Sequence, residues 1–118
     1  MNIEYPKKTK NEAEVQALLW YFLRKHKIDA RLEVAADKAR LDIVCFRDKK
    51  AVCIIECKAW THSYSQVHKY RHNNTRQLNK YRSLFGIPVL VCGNVNQITT
   101  TQSEVLALFG YVRKTVVV

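Results

Sequence analysis

The stretch Ala51-Val-Cys-Ile-Ile-Glu-Cys-Lys-Ala-Trp60 reads as a strand apolar enough to be covered on both faces, yet it carries Glu56 and Lys58 two positions apart. A side-chain period of two puts both on one face. Burying a carboxylate or an ammonium without a partner costs several kcal/mol, so a chain that places two there either pairs them or uses them. The preceding stretch repeats the oddity, with Asp42 interrupting Leu41-Asp-Ile-Val-Cys-Phe46. If the two strands are antiparallel neighbours joined through Arg47–Lys50, Asp42 and Glu56 fall at the same end of the hairpin. Two carboxylates converging with a lysine form a hard-oxygen site of the kind Mg²⁺ prefers. The plainer alternative is an ion pair of Lys58 with Glu56 or Asp42 at the strand ends, close to solvent.

Outward from this hairpin, helical and β periodicities alternate. Val15, Leu19, Phe22 and Leu23 recur at helical spacing between about Asn11 and Lys27, and Thr9-x-x-Glu12 can form a capping box. Three β-type runs follow, near Ala30–Ala35, Leu41–Phe46 and Ala51–Lys58, separated by the charged turns Ala36-Asp37-Lys38 and Asp48-Lys49-Lys50. From about Ser63 to Phe85 the pattern is helical again, with Tyr70, Asn74, Gln77, Tyr81 and Leu84 on one stripe and Lys69, His72, Arg76 and Lys80 on another. Gly86 ends that helix, and Ile87–Cys92 is a buried strand that Pro88 can only begin or edge. A second capping box, Thr101-x-x-Glu104, is expected to open a short helix closed by Gly110, and Tyr111–Val118 to form a last strand or an exposed edge. The expectation is an α/β fold of order αβββαβ, with a mixed central sheet flanked by helices. One domain should span 1–118, with its core over about 10–93 and a helix-strand tail over 94–118.

Composition narrows the partners. Lysine and arginine outnumber aspartate and glutamate by 20 to 10, giving a formal charge of +10. Such an excess attracts phosphate backbones through counterion release, although ribosomal and membrane-surface proteins share it. Cys45, Cys53, Cys57 and Cys92 all lie in apolar stretches without a CxxC pair, and read as reduced core residues rather than a secreted disulfide framework. No apolar run approaches the roughly 20 residues of a membrane span, and the polar start MNIEYPKKTK is unlike a signal peptide. A cytoplasmic protein without membrane attachment is expected.

Asp42, thirteen residues, then Glu56-Cys57-Lys58, on the second and third strands of such a chain, resembles the PD-(D/E)xK nuclease superfamily, also called restriction-endonuclease-like. The likeness is closest to the N-terminal nuclease domain of type I restriction enzyme motor subunits and its stand-alone relatives. It rests on Asn11-Glu-Ala-Glu-Val-Gln16, Arg40-Leu-Asp-Ile-Val44, Ile54-Ile-Glu-Cys-Lys-Ala59, Gln77-Leu-Asn-Lys-Tyr81 and Pro88-Val-Leu-Val-Cys92. The resemblance implies that Asp42 and Glu56 hold Mg²⁺, or Mn²⁺ in its place, with the backbone carbonyl of Cys57. It implies that Lys58 orients the attacking water and offsets developing charge. Glu12 resembles the first-helix glutamate that approaches the metal in many members; Glu14 competes for that role, and the capping box with Thr9 explains Glu12 equally well. Gln77-x-x-x-Tyr81 resembles the QxxxY motif of RecB-like members, where the glutamine helps place the nucleophile or substrate. Leu41 stands where the superfamily's name has proline.

The activity implied is metal-dependent endonucleolytic hydrolysis of DNA phosphodiesters, with RNA as the other candidate polymer. The alternative is a catalytically silent nucleic-acid-binding or assembly module of the same fold. Lys8 and Lys10 in the basic arm, and Lys69, Arg76 and Lys80 on the second helix with Tyr81 beside them, are the expected substrate contacts, flanked by Arg71 and Arg82. A solvated helix face explains the same stripe. His68 and His72 have the spacing of a helical zinc pair but lack a third ligand, and Trp60 and Tyr64 can either stack on a base or pack inside. So short a chain should draw sequence specificity from a partner protein or from a homodimer, for which Tyr111–Val118 is the candidate contact.

Overall fold

In the computed structural model, which describes residues 3, 12–37, 39–59 and 79–110, the Val15, Leu19 and Leu23 stripe forms the buried side of helix α1 (Glu12–Lys25). The helix stops where Lys27 turns left-handed at φ 60°. Lys27 N–H donates to the Arg24 carbonyl and Ile28 N–H to the Leu23 carbonyl, closing the last turn as a Schellman motif. Strands β1 (Asp29–Ala36), β2 (Ala39–Arg47) and β3 (Lys50–Cys57) then run as an antiparallel meander. Helical residues 79–85 are the described part of α2. They lead to β4 (Val89–Cys92), which lies parallel to β3 and completes a sheet of order β1-β2-β3-β4.

Two apolar layers fix this sheet between helices. Ile43, Cys45, Cys53, Ile55, Cys57 and Cys92 pack on one face against α1 and against α3 (Ile98–Leu108). Leu41, Val44, Ile54 and Val89 pack on the other with Tyr81 and Phe85 of α2. All four cysteines are buried and free, as their apolar setting predicts. This mixed sheet with helices on both faces is the restriction-endonuclease-like αβββαβ arrangement. No helix among the described residues is long and apolar enough to cross a membrane.

The structure corrects one cap. The last helix does not open at Thr101: it starts at Ile98, directly after a 3₁₀ turn at Val95–Gln97. Asn94 Oδ1 accepts from Asn96 N–H at 2.9 Å, and Gln97 Oε1 accepts from Gly93 N–H at 2.8 Å, so the chain is already turned before Thr101 is reached. Thr101 is buried inside the helix and bonded toward Cys92, where a capping hydroxyl is of no use. Thr9, Trp60, Tyr64, His68, His72 and Tyr111–Val118 lie outside the described residues.

Candidate functional site

Where β2 and β3 part, side chains take over from the backbone ladder. The β2–β3 register runs from Arg47↔Lys50 to Ile43↔Ile55, with one irregularity at Cys45/Phe46. Continued by one residue it would set Asp42 opposite Glu56. There Cys57 N–H donates instead to the Asp42 carboxylate, Oδ2, at 2.8 Å. On its other side β3 stays zipped, since Lys58 N–H donates to the Cys92 carbonyl at 2.8 Å. Alternation therefore continues through the motif. Ile55 and Cys57 face α1, whereas Glu56 shares the opposite face with Ile54.

The pairing of β1 and β2 breaks at the level of the half-buried Asp42. Position 33 is skipped in the β1–β2 pairing, which passes from Leu32↔Ile43 to Val34↔Leu41, and Glu33 adopts a left-handed φ of 52°. On β2 the alternation slips at the same level: Ile43 packs on the α1 side, but Leu41 packs on the α2 side. The Asp42 carbonyl accepts from Gln16 Nε2 of α1 at 2.7 Å, and the same amide nitrogen reaches Glu33 Oε1 at 3.0 Å.

Glu56 is only 6% exposed, and its Oε1 is buried without a hydrogen-bond partner. Burial, and next the neighbouring Asp42 charge, push its carboxyl up to about 7, against the opposing pull of Lys58. Asp42 neighbours Glu56, but Oε1 itself is left unsatisfied. No ion pair within 4.0 Å joins Lys58 to either carboxylate among the described residues, so the plain salt-bridge alternative is not formed. The Cys57 thiol is pushed up chiefly by burial and then by Asp42, with Cys92, Glu56 and Glu12 adding to it. Glu12, exposed in the first turn of α1, thus stands within electrostatic reach of the motif.

An orphaned buried carboxylate oxygen beside a second carboxylate suits a divalent cation. Against that, no three His, Cys, Asp or Glu side chains among the described residues converge closely enough to hold one ion. The structure brings Asp42, Glu56, Cys57 and Lys58 together. Lys80 and Tyr81 stand apart from them, beside Arg40, Leu84 and Phe85 in a cleft of about 530 Å³ between the β1–β2 hairpin tip and α2. Arg82 donates through Nη2 to the Val89 carbonyl at 3.0 Å. Gln77, Lys8, Lys10, Lys69 and Arg76 lie outside the described residues.

A family model described as "Type I restriction enzyme R protein N terminus" matches residues 7–112. The chain belongs to this family. The match takes in α1, the whole described sheet and α3, so the family's N-terminal domain accounts for the fold that positions Asp42, Glu56 and Lys58. Comparison with curated proteins and with solved structures finds no match. Gln16 carries no charge-in-strand signal: it looks like an ordinary polar helix residue until the gap in the β1–β2 pairing gives it a neighbour.

Proposed function

We propose that this chain is a Mg²⁺-dependent nuclease module acting on DNA phosphodiesters in the cytoplasm. The observation that carries the reading is Glu56, a buried carboxylate with a partnerless oxygen next to a second carboxylate. A group so placed costs stability unless something binds it. Asp42, Glu56 and the Cys57 carbonyl would hold the cation, with Glu12 approaching from α1. Bound there, the ion supplies a Lewis acid beside the scissile phosphate. Lys58, on the Glu56 face, orients the attacking water and offsets charge developing on the phosphate. Gln77 assists that placement, and Lys8, Lys10, Lys69, Arg76, Lys80 and Tyr81 contact the nucleic acid. The charge of +10 supports a polyanionic substrate.

The second reading is a catalytically silent nucleic-acid-binding or assembly module. It is favoured by the donor count, since two carboxylates and no third ligand converge among the described residues, and by Asp42 already accepting from Cys57 N–H. Incubating purified protein with supercoiled plasmid, linear duplex, single strands and RNA, each with Mg²⁺, Mn²⁺ or chelator, separates the two. Metal-dependent cleavage lost in Asp42→Asn supports the nuclease. Salt-sensitive binding without cleavage on any substrate supports the silent module.

A further inference from the structure

Gln16 is half-buried on α1, one residue past the core residue Val15, and its amide nitrogen donates to the Asp42 carbonyl. That carbonyl sits where the β1–β2 ladder skips Glu33 opposite Asp42. A strand carbonyl without its ladder donor must find another partner or carry a desolvation penalty. At the place where the pairing skips a residue, Gln16 supplies a donor to the Asp42 carbonyl at 2.7 Å and also holds the Glu33 side chain at 3.0 Å. One amide thus ties α1 to both strands at the level of the kink. The kink in turn frees Asp42 to present Oδ2 to Cys57 N–H rather than continue the ladder.

We propose that Gln16 is a positioning residue for the Asp42 carboxylate: by bonding the Asp42 carbonyl it fixes the break in β2 that aims the side chain at the Cys57 amide and toward Glu56. The inference rests on the metal-site reading under Proposed function for its functional consequence, but its structural half can be measured without metal. Groups that orient a metal ligand from behind contribute roughly 10–100-fold to metal affinity when lost. Gln16 touches neither the cation site nor the reacting atoms. Its effect must therefore pass through Asp42.

The test compares the parent with Gln16→Leu, which removes the donor at similar size, and Gln16→Lys, which restores a donor of comparable reach. Amide hydrogen exchange at Cys57 is read by NMR against Ile55, two residues back on the same strand, and Mn²⁺ affinity by calorimetry. Gln16→Leu is expected to speed Cys57 exchange about tenfold relative to Ile55 and to weaken Mn²⁺ roughly tenfold or more, while Gln16→Lys stays near the parent in both. Should Gln16→Leu not fold, Gln16→Glu, of the same size but without the donor, is measured in its place with the same expectation. Unchanged Cys57 exchange in the donorless variant overturns the positioning role. A parent that binds no Mn²⁺ but shows the Cys57 response overturns the metal reading and leaves the positioning intact.

Discussion

The two ends of the β2–β3 hairpin are built on opposite rules. At the turn end, Arg47 pairs with Lys50 across Asp48 and Lys49, whose φ values of 51° and 67° are those of a two-residue type I′ turn. Pairing resumes after the irregularity at Cys45/Phe46 and holds to the turn, and Arg47 adds a guanidinium bond to the Phe109 carbonyl with its charge over the Phe109 ring. At the other end the ladder opens at Asp42, and side chains from α1 and β2 satisfy the backbone instead. Where the ladder is interrupted, the half-buried Asp42 and the buried Glu56 carboxylates lie beside one another at the strand ends.

Substitutions at the two ends should therefore differ in kind. Asp42→Asn is expected to take metal-dependent plasmid cleavage to the detection limit while the far-ultraviolet circular dichroism stays that of the parent; retained cleavage would remove the site assignment. Lys58→Ala should lower single-turnover cleavage by about 10²–10³-fold, the usual cost of deleting one group that offsets transition-state charge. Between the ends lies the closed layer under α1, where Leu19 is fully buried. There Leu19→Ala should cost about 2–5 kcal/mol in urea unfolding, with residual cleavage per folded molecule unchanged.

Glu56 sharpens the contrast, because its effect on stability should have the opposite sign to a core residue's. Its carboxyl is raised from 4.5 to about 7 in the folded state, so the folded protein holds a proton that the unfolded chain releases. That contribution is complete below pH 4.5 and is lost as pH rises through about 7. Glu56→Gln, which never ionises, should thus gain on the parent between these limits by up to about 3 kcal/mol in metal-free buffer. Equal pH profiles of unfolding for the two proteins would mean that the carboxylate is not under this strain. The smallest effect belongs to the turn end. Lys49→Gly, relieving a left-handed non-glycine residue, should raise stability by about 1 kcal/mol and leave cleavage untouched.

The strand limits show how far local chemistry carries. Acid and base inside apolar strands marked Asp42, Glu56 and Lys58 because burial makes such charges conspicuous in any context. The Val15, Leu19 and Leu23 stripe and the charged turn at Asp48-Lys49-Lys50 were equally legible, since helical period and turn chemistry are local, although Lys50 already pairs with Arg47 as the first residue of β3. Thr101-x-x-Glu104 misled for the converse reason: a capping box has only local content, and the preceding turn at Val95–Gln97 had already started the helix. Arg82 likewise counted as a cation flanking a basic stripe, and only the proximity of β4 gave its guanidinium the Val89 carbonyl.

By itself the sequence determined the order of elements, the two-sided burial of β3 and the identity of the charged residues, because each follows from periodicity and the cost of desolvating charge. Only the tertiary structure decided that position 33 drops out of the ladder, that Gln16 bonds the Asp42 carbonyl and that Glu56 Oε1 has no partner. These depend on where three separate elements meet, and the partners a polar group finds there are fixed by distance in space, which spacing along the chain does not encode.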